Sequence, residues 1–280
     1  MGNGGTIIPI PTSYNPAQHI GPIDPASRVS LPDGTPRLGL AYDWTAGKWL
    51  PVPPAWVSPD GTKYAYVDTA ARVHLVGVQD GSDRIVASGA LWGIYGVRDD
   101  AIYAGRRDPT QLPSLRGLWR ILPDGTTTQL ATDQTWLVIT GDAAWAAEFA
   151  TPVASGVRQG VTPPAPENAF GDTLTRLDLQ TGAQTTWFTS DRLVRVVGAD
   201  PSGRPVLISV GSMPQQVIWS VRAPGDATSF NTGFVTAVMA DKYGIWTEIN
   251  YGPIITLSQG QNSGTQMVQG DIASFAGACQ

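Results

Sequence analysis

The chain of 280 residues contains 32 glycines and 23 prolines, and only 15 % of its residues are charged. One residue in five is therefore a helix breaker, against roughly one in eight in average proteins, which argues against a mainly helical fold. Ten tryptophans, eight tyrosines and six phenylalanines supply the rings that all-β proteins bury between sheets. The net charge of −5 provides no basic surface for nucleic acid, so we expect no nucleic-acid partner.

One pattern recurs six times: an apolar strand, a tight turn containing glycine, and a second strand that ends in apolar residues. The copies begin at Arg37, Arg72, Gly117, Thr173, Gln216 and Pro253. Their turn glycines are Gly47, Gly81, Gly125, Gly182, Gly225 and Gly264. The mean spacing of about 43 residues is that of a four-stranded β-propeller blade, in which each copy would be the outer hairpin, strands C and D.

A weaker two-stranded unit precedes five of the six hairpins and supplies the inner strands A and B. These units begin at Trp56, Tyr95, Leu137, Leu193 and Phe234. Alternate aromatic residues within them would fill the space between neighbouring blades. They are Tyr64, Tyr66, Tyr103, Trp145 and Trp246.

The first hairpin lacks a recognisable inner strand, whereas one apolar segment, from Ile272, remains after the last hairpin. We therefore predict an all-β, six-bladed β-propeller of four-stranded antiparallel blades, a single domain over residues 1–280 with a Pro/Gly-rich lead segment over 1–26. The C-terminal strand would close the ring as strand A of the N-terminal blade, which leaves no open sheet edge. Segments from Thr6 and from Ser27 are both candidates for strand B of that blade.

The stretch SPDGTKYAYV from Ser58 resembles the Ser-Pro-Asp-Gly signature of TolB-like propellers, a WD-repeat-like family with six blades. Looser echoes begin at Leu122 and Ala199. Families with this scaffold include periplasmic interaction modules, peptidase-associated propellers, lactonases and cyclases, so the resemblance implies a fold and no single function. The turn itself is expected to be structural, because Pro presets φ, Asp binds the backbone ahead and Gly accepts a positive φ.

Insertions gather at one face of the predicted disc. In a four-stranded meander the A–B and C–D turns lie at one face, and the B–C and D–A connections lie at the other, called the loop face below. Nearly all length variation is in the second class, at residues 105–116, 149–172 and 210–215. Long loops are disproportionately functional, so we expect a ligand or partner to bind the loop face.

Polar and aromatic residues also fall at the loop face, at the ends of B strands and near the D–A crossings. The candidate binding residues are Asp68, Trp92, Tyr95, Arg106, Trp136, Glu148, Arg192 and Glu248. Such a rim could hold a cationic group or a sugar. The same residues could equally be solvated strand ends with tryptophans packed between blades. Arg195 interrupts an otherwise apolar inner strand, where its charge must reach water or a partner.

Known catalytic constellations are missing from the sequence. The two histidines, His19 and His74, have no G-x-S-x-G motif nearby, so no serine triad is expected. The inner strands offer no Glu or Asn for a lactonase metal, and phosphate-cradling and dinucleotide motifs are missing. We therefore predict no catalytic residue, no metal and no cofactor. A pair of Glu148 and Glu248 for glycoside chemistry is a minor alternative.

The sequence favours a binding or protein-interaction module with a protein partner or a small polar ligand. A channel-centred hydrolase or lactonase and a structural subunit are the alternatives. Few lysines, Pro- and Thr-rich loops and the TolB-like resemblance favour an extracellular or periplasmic location. No apolar run reaches the roughly 18 residues of a membrane span, and the N-terminus lacks the pattern of a signal peptide. An export signal or membrane anchor would therefore belong to a longer parent protein.

Overall fold

Strands dominate the part of the chain that the computed structural model describes. That part comprises residues 28–38, 41–43, 46–98, 100–107, 115–132, 134–148, 171–200, 202–209, 216–232, 235–241, 244–249, 254–259 and 262–267. Its one helical segment is a short 3-10 helix, Pro54–Trp56. No helix within these ranges has the length and apolarity needed to cross a membrane.

The described strands pair with their neighbours in sequence, always antiparallel. They are β1 (Arg28–Ser30), β2 (Pro36–Leu38), β3 (Ala41–Asp43), β4 (Lys48–Leu50), β5 (Lys63–Val67), β6 (Val73–Gly77), β7 (Asp83–Ala87), β8 (Trp92–Arg98), β9 (Ala101–Arg107), β10 (Leu115–Ile121), β11 (Thr127–Ala131), β12 (Val138–Thr140), β13 (Ala143–Glu148), β14 (Gly171–Asp178), β15 (Gln184–Ala199), β16 (Pro205–Ser209), β17 (Gln216–Ala223), β18 (Asp226–Thr232), β19 (Val235–Asp241), β20 (Gly244–Ile249), β21 (Ile254–Gln259) and β22 (Asn262–Met267).

Blade numbers below follow the predicted repeats. Blade 1 holds β1–β4, blade 2 holds β5–β7, blade 3 holds β8–β11 and blade 6 holds β19–β22, while β12–β18 form one seven-stranded sheet that contains blades 4 and 5. All six predicted C–D hairpins are antiparallel pairs. The prediction of Gly264 as the turn glycine of the sixth hairpin is wrong: Gln259 pairs with Asn262, so the chain turns earlier and Gly264 lies within β22, opposite Leu257. The lead segment and the closing strand from Ile272 lie outside the described residues. The ring closure, the count of six blades and the single-domain boundary therefore stay predictions.

Of the two candidates for strand B of blade 1, the segment from Ser27 pairs with the start of the first hairpin. Arg28 lies opposite Leu38, and Val29 lies opposite Arg37. The turn between them is closed by Asp33, whose Oδ1 accepts the backbone N–H of Thr35 at 2.8 Å. The Thr6 candidate lies outside the described residues.

Blade 2 has a reduced inner strand. The sequence predicts a strand from Trp56, but Trp56 ends the 3-10 helix and only Val57 forms a bridge, with Tyr64. Pro54 begins the 3-10 helix, and Pro59, two residues after Val57, lacks the backbone N–H that a ladder requires, so little chain is left here for a strand.

Strand β15 is longer than the sequence predicts. It joins strand D of blade 4 and strand A of blade 5 into one strand of 16 residues. Its first half pairs with β14 and its second half with β16. Neither glycine nor proline occurs between Gln184 and Val197, so no residue of the usual strand-breaking kind lies where the two blades join; Gly198 follows near the end of the strand, at a register shift.

The core lies between the blades. On β9, Tyr103 packs with residues of blade 4, while the next residue, Ala104, packs with residues of blade 2. On β13, Ala144 packs toward blade 3 and Trp145 toward blade 5. Because successive strand residues point to opposite faces, each such strand contributes to two cores. The aromatic residues predicted to fill these spaces are all buried: Tyr64, Tyr66, Tyr103, Trp145 and Trp246.

Candidate functional site

Blade 3 carries a group of basic and aromatic side chains at its loop-face end, called the arginine cluster below: Trp92, Arg106, Arg116 and Trp119. Trp92 on β8 lies opposite Arg106 on β9, which in turn lies opposite Arg116 on β10. Directly opposed residues project from the same side of a sheet, so these three side chains form a row across three strands. The Arg106 guanidinium carbon lies 4.6 Å from the Trp92 ring centre and 4.7 Å from the Trp119 ring centre.

A bulge in β10 brings Trp119 to this side of the sheet. Three positions separate Arg116 from Trp119, which in a regular strand would place them on opposite faces. The register shifts between them, so that Arg116 pairs with Arg106 and Trp119 with Ala104. Gly117 lies at the shift with φ +68°, and a Cβ there would meet the Trp119 ring at 2.5 Å. Glycine therefore permits both the bulge and the position of the ring.

The rings of the arginine cluster are buried and its guanidinium groups are exposed. Trp92 and Trp119 are 5 % and 8 % exposed and belong to the core between blades 2 and 3. Arg106 and Arg116 are exposed, as is Arg107, which points to the other side of the strand. The ion pairs of the described part of the chain include none of these three arginines. Cation–π contact with two fixed rings therefore orients a charge that remains available to a ligand.

Asp68, at the B–C turn of blade 2, is saturated by partners from its own blade. Its Oδ1 accepts the backbone N–H groups of Ala70 at 3.0 Å and Arg72 at 2.8 Å. Its Oδ2 accepts a hydrogen bond from Arg72 Nε at 2.6 Å and lies 3.2 Å from His74 Nε2. Burial alone would raise the pKa of Asp68, but the hydrogen bonds from Arg72 and His74 outweigh it and lower the pKa to about 2. These contacts give Asp68 a structural role in closing the turn.

His74, to which sequence reasoning assigned no role, connects Asp68 to a second carboxylate. Its Nδ1 lies 2.8 Å from Asp83 Oδ1, and its ring stacks on Tyr66 at 4.4 Å between centres. Tyr66 donates its hydroxyl to Asp83 Oδ2 at 3.1 Å, and burial, with this carboxylate, raises the pKa of Tyr66. A neutral imidazole has only one N–H, so both carboxylate contacts are hydrogen bonds only when the ring carries two protons. The network fastens β5, β6 and β7 together.

Tyr95 and Trp136 lie in the core between blades 3 and 4. Trp136 is fully buried and Tyr95 is 8 % exposed. The Tyr95 hydroxyl lies against Gly105, where a Cβ would sit 2.5 Å away, and burial raises the pKa of this phenol. Packing between blades accounts for the position of both rings, which was one of the two interpretations that the sequence left open.

Glu148 ends β13 opposite Thr173 of β14. Its Oε1 is buried and has no hydrogen-bond partner in the part of the chain that the structure describes. Burial raises the pKa of the Glu148 carboxyl, and a side-chain hydrogen bond with Gln134 offsets only part of this effect. A buried acceptor without a donor is costly, so Glu148 differs from Asp68 in having hydrogen-bonding capacity left over.

The remaining candidates are dispersed. Glu248 lies on β20 opposite Ala237, and only its backbone position is described. Arg192 is exposed on β15, where its backbone N–H donates to Ser190 Oγ at 3.0 Å. Arg195 is partly buried, which lowers its pKa. The central parts of the three predicted insertions, 108–114, 149–170 and 210–215, lie outside the described residues.

The turns of the opposite face satisfy their own polar groups. In the Ser58 turn, Asp60 Oδ1 accepts Ser58 Oγ at 2.6 Å and the Thr62 N–H at 3.0 Å, and these hydrogen bonds lower the pKa of Asp60. Gly61 follows with φ +70°. The same arrangement, in which an aspartate accepts a backbone N–H two or three residues ahead, recurs at Asp80, Asp124, Asp178 and Asp200. The turn therefore has the internal hydrogen bonds expected of a structural element.

No group of three or more His, Cys, Asp or Glu side chains in the described ranges is arranged to hold a metal ion.

Comparisons with known proteins identify the fold. No protein-family model matches the chain, and no curated protein sequence matches it. Among solved structures, it is similar to an oligogalacturonate lyase in complex with manganese, with a TM-score of 0.54 and 14 % identity over 77 % of this chain and 64 % of that chain. It is also similar to TolB from Acinetobacter baumannii, with a TM-score of 0.42 and 10 % identity over 77 % of this chain and 51 % of that one.

The chain thus spans less than two thirds of the length of either protein. At these identities the likeness concerns the fold alone. The fold that the resemblance implied is confirmed: the chain is an all-β propeller built from antiparallel sheets.

Proposed function

We propose that this chain is a binding module outside the cytoplasm, which holds a ligand or a protein partner at its loop face. The observation that carries the proposal is the contrast between the turn aspartates and two exposed arginines of blade 3. Turn aspartates at both ends of the blades, such as Asp60 and Asp68, bind backbone N–H groups of their own turns. At the loop-face end of blade 3, Arg106 and Arg116 are exposed and lack an acidic partner among the described residues.

Arg106 has the properties of a preorganised recognition group. A free arginine side chain loses considerable rotamer entropy when it binds a ligand. Here Trp92 and Trp119, both buried, already restrict the guanidinium plane. Binding through Arg106 would therefore cost less ordering than binding through an ordinary surface arginine.

A screen of soluble peptides and oligosaccharides of negative, neutral and positive charge tests this function. The proteins compared are the full chain, the double variant R106Q/R116Q and the control R84Q. Arg84 is exposed near the start of β7, opposite Leu75 and away from the loop face. We expect the screen to yield ligands that bind the double variant at least about tenfold more weakly than the wild type and bind the control R84Q as well as the wild type. Ligands that tolerate the double change but are lost on Asp142→Asn, at the opposite face, would reject the loop face as the site.

A channel-centred hydrolase or lactonase is the second candidate, and Glu148 favours it. A buried carboxyl oxygen with no hydrogen-bond partner among the described residues has the free lone pairs that a cation ligand needs. The lyase that shares the fold was solved with manganese. Metal analysis of the purified chain after incubation with Mn²⁺ tests this alternative. Stoichiometric metal that is lost in E148Q would favour the enzyme, whereas retention of the same metal in E148Q would remove Glu148 from its site.

A further inference from the structure

We propose that Arg106 and Arg116 form a binding site for an oxyanion, namely a carboxylate or phosphate group of the ligand. The inference rests on the proposed binding function and specifies its chemistry. Its starting point is that two arginines lie directly opposite each other on β9 and β10. Like charges at opposed positions of antiparallel strands repel, so this pair disfavours the empty state and favours an anion between the two groups.

The surroundings of Arg106 direct this charge outward. The two tryptophan rings of the arginine cluster lie within 4.7 Å of its guanidinium carbon on the core side. The exposed part of the group faces the same side of the sheet as Arg116. A planar guanidinium offers paired N–H donors that match the two oxygens of a carboxylate or phosphate. A second guanidinium at the opposed position can bind the same anion from another direction.

The charge of the whole chain limits the kind of ligand. With a net charge of −5, the chain as a whole repels a long polyanion. A single oxyanion group, at the end of a chain or on a small molecule, would meet the two arginines without approaching the acidic remainder. We therefore assign the site to one carboxylate or phosphate group and not to an extended acidic polymer.

A purely structural role for Arg106 makes a different prediction. If Arg106 only covered the indole rings, its replacement would reduce stability and leave anion binding unaffected. Arg116 contacts neither ring in the described cation–π pairs, so R116Q changes the proposed site while leaving the packing of Trp92 and Trp119 in place.

Calorimetric titration of the full chain with succinate and with inorganic phosphate, at constant ionic strength in chloride, tests the inference. We expect saturable binding of at least one probe, and the better probe identifies the anion source as carboxylate or phosphate. R106Q and R116Q should each weaken that binding by at least about tenfold, whereas the control R84Q should stay within about twofold of the wild type. R106K should also weaken it, because lysine keeps the charge but loses the planar fork and the stacking.

Two outcomes would overturn the inference. One is that neither probe binds saturably; the other is that binding persists in folded R116Q. If neither probe binds but the ligand screen yields neutral or cationic ligands that depend on Arg106, the oxyanion site is rejected while the binding function stands. If no ligand depends on the loop face, yet phosphate binds through Arg106 and Arg116, the anion site stands while the proposed module is rejected.

Discussion

The carboxylate of Asp68 should contribute measurably to the stability of the propeller, and Asp68→Asn tests this. Hydrogen bonds hold the pKa of Asp68 at about 2, against an ordinary value of 3.8. A shift of this size corresponds to about 2 kcal/mol of folding free energy. Because Arg72 is 46 % exposed, water screens part of this interaction, and we expect a loss of about 1–2 kcal/mol in the variant.

The pH dependence of this loss has a definite sign. The folded-state pKa of Asp68 lies below that of the unfolded chain, so the contribution is complete above the ordinary value of 3.8 and disappears as the pH falls toward the lowered one. The difference in unfolding free energy between wild type and variant should therefore be largest near neutral pH. It should narrow below about pH 4.

Urea unfolding followed by tryptophan fluorescence, at neutral pH and in acidic steps, measures both effects. Asp80→Asn is the matched control, because Asp80 also accepts a turn N–H, from Ser82, but has no arginine or histidine partner among the residues that the structure describes. We expect a smaller loss in the control. Equal losses in the two variants, or a deficit of Asp68→Asn that stays constant in acid, would refute the reasoning.

Three further predictions concern single side chains. Burial raises the pKa of Glu148, so the folded chain loses stability as the pH rises through that raised value. Glu148→Gln should therefore raise Tm relative to wild type, and the difference in Tm should grow from acid to neutral pH. A difference that shrinks over this range would contradict the prediction. A Cβ at Gly171 would lie 1.9 Å from the Glu148 carbonyl oxygen, so Gly171→Ala should cost at least about 2 kcal/mol in urea unfolding, whereas Gly141→Ala, with open space around it, should change stability by less than about 0.5 kcal/mol. Tyr66→Phe removes the hydrogen bond to Asp83 and should cost about 1 kcal/mol in the same assay; an unchanged free energy of unfolding would show that the hydroxyl bond contributes nothing.

The hairpins could be predicted because their determinants are local. Gly81 and Gly125 adopt φ values of +66° and +91°, which glycine accepts and other residues rarely do. Apolar residues alternate on either side of these turns, so turn position and strand direction follow from a few neighbouring residues. Trp145 and Tyr66 could likewise be assigned to the spaces between blades, because strand alternation extends over the whole B strand.

The arginine cluster could not be predicted in full, because it depends on register. Sequence reasoning identified Trp92 and Arg106 but missed Arg116 and Trp119. Arg106 meets Arg116 only because of the alignment of β9 with β10 across the connection between them. Trp119 reaches the same side of the sheet only because of the bulge at Gly117. Regular alternation of strand residues would place it on the opposite face from Arg116. The sequence contained only a weak signal for this pair, namely that Arg106 and Arg116 lie at the two ends of one predicted insertion, 105–116.

The Asp68 network shows a similar limit. Asp68 was correctly located at the end of a B strand, yet nothing in its spacing indicated that Arg72 and His74 would occupy both of its oxygens. The ligand capacity of a carboxylate depends on what already binds it, and that is decided by side-chain conformation in three dimensions.

The uninterrupted strand β15 gives blades 4 and 5 a common mechanical element. In the blades around it, neighbouring sheets are joined by connecting segments, and each sheet could open by loosening its own ladder. Here the ladder hydrogen bonds of β14 and β16 are anchored on a single extended backbone from Gln184 to Ala199. Loss of the pairing between β14 and β15 in blade 4 therefore also destabilises the pairing between β15 and β16 in blade 5. The two blades should open together, as one cooperative unit whose amide protons exchange with a shared free energy.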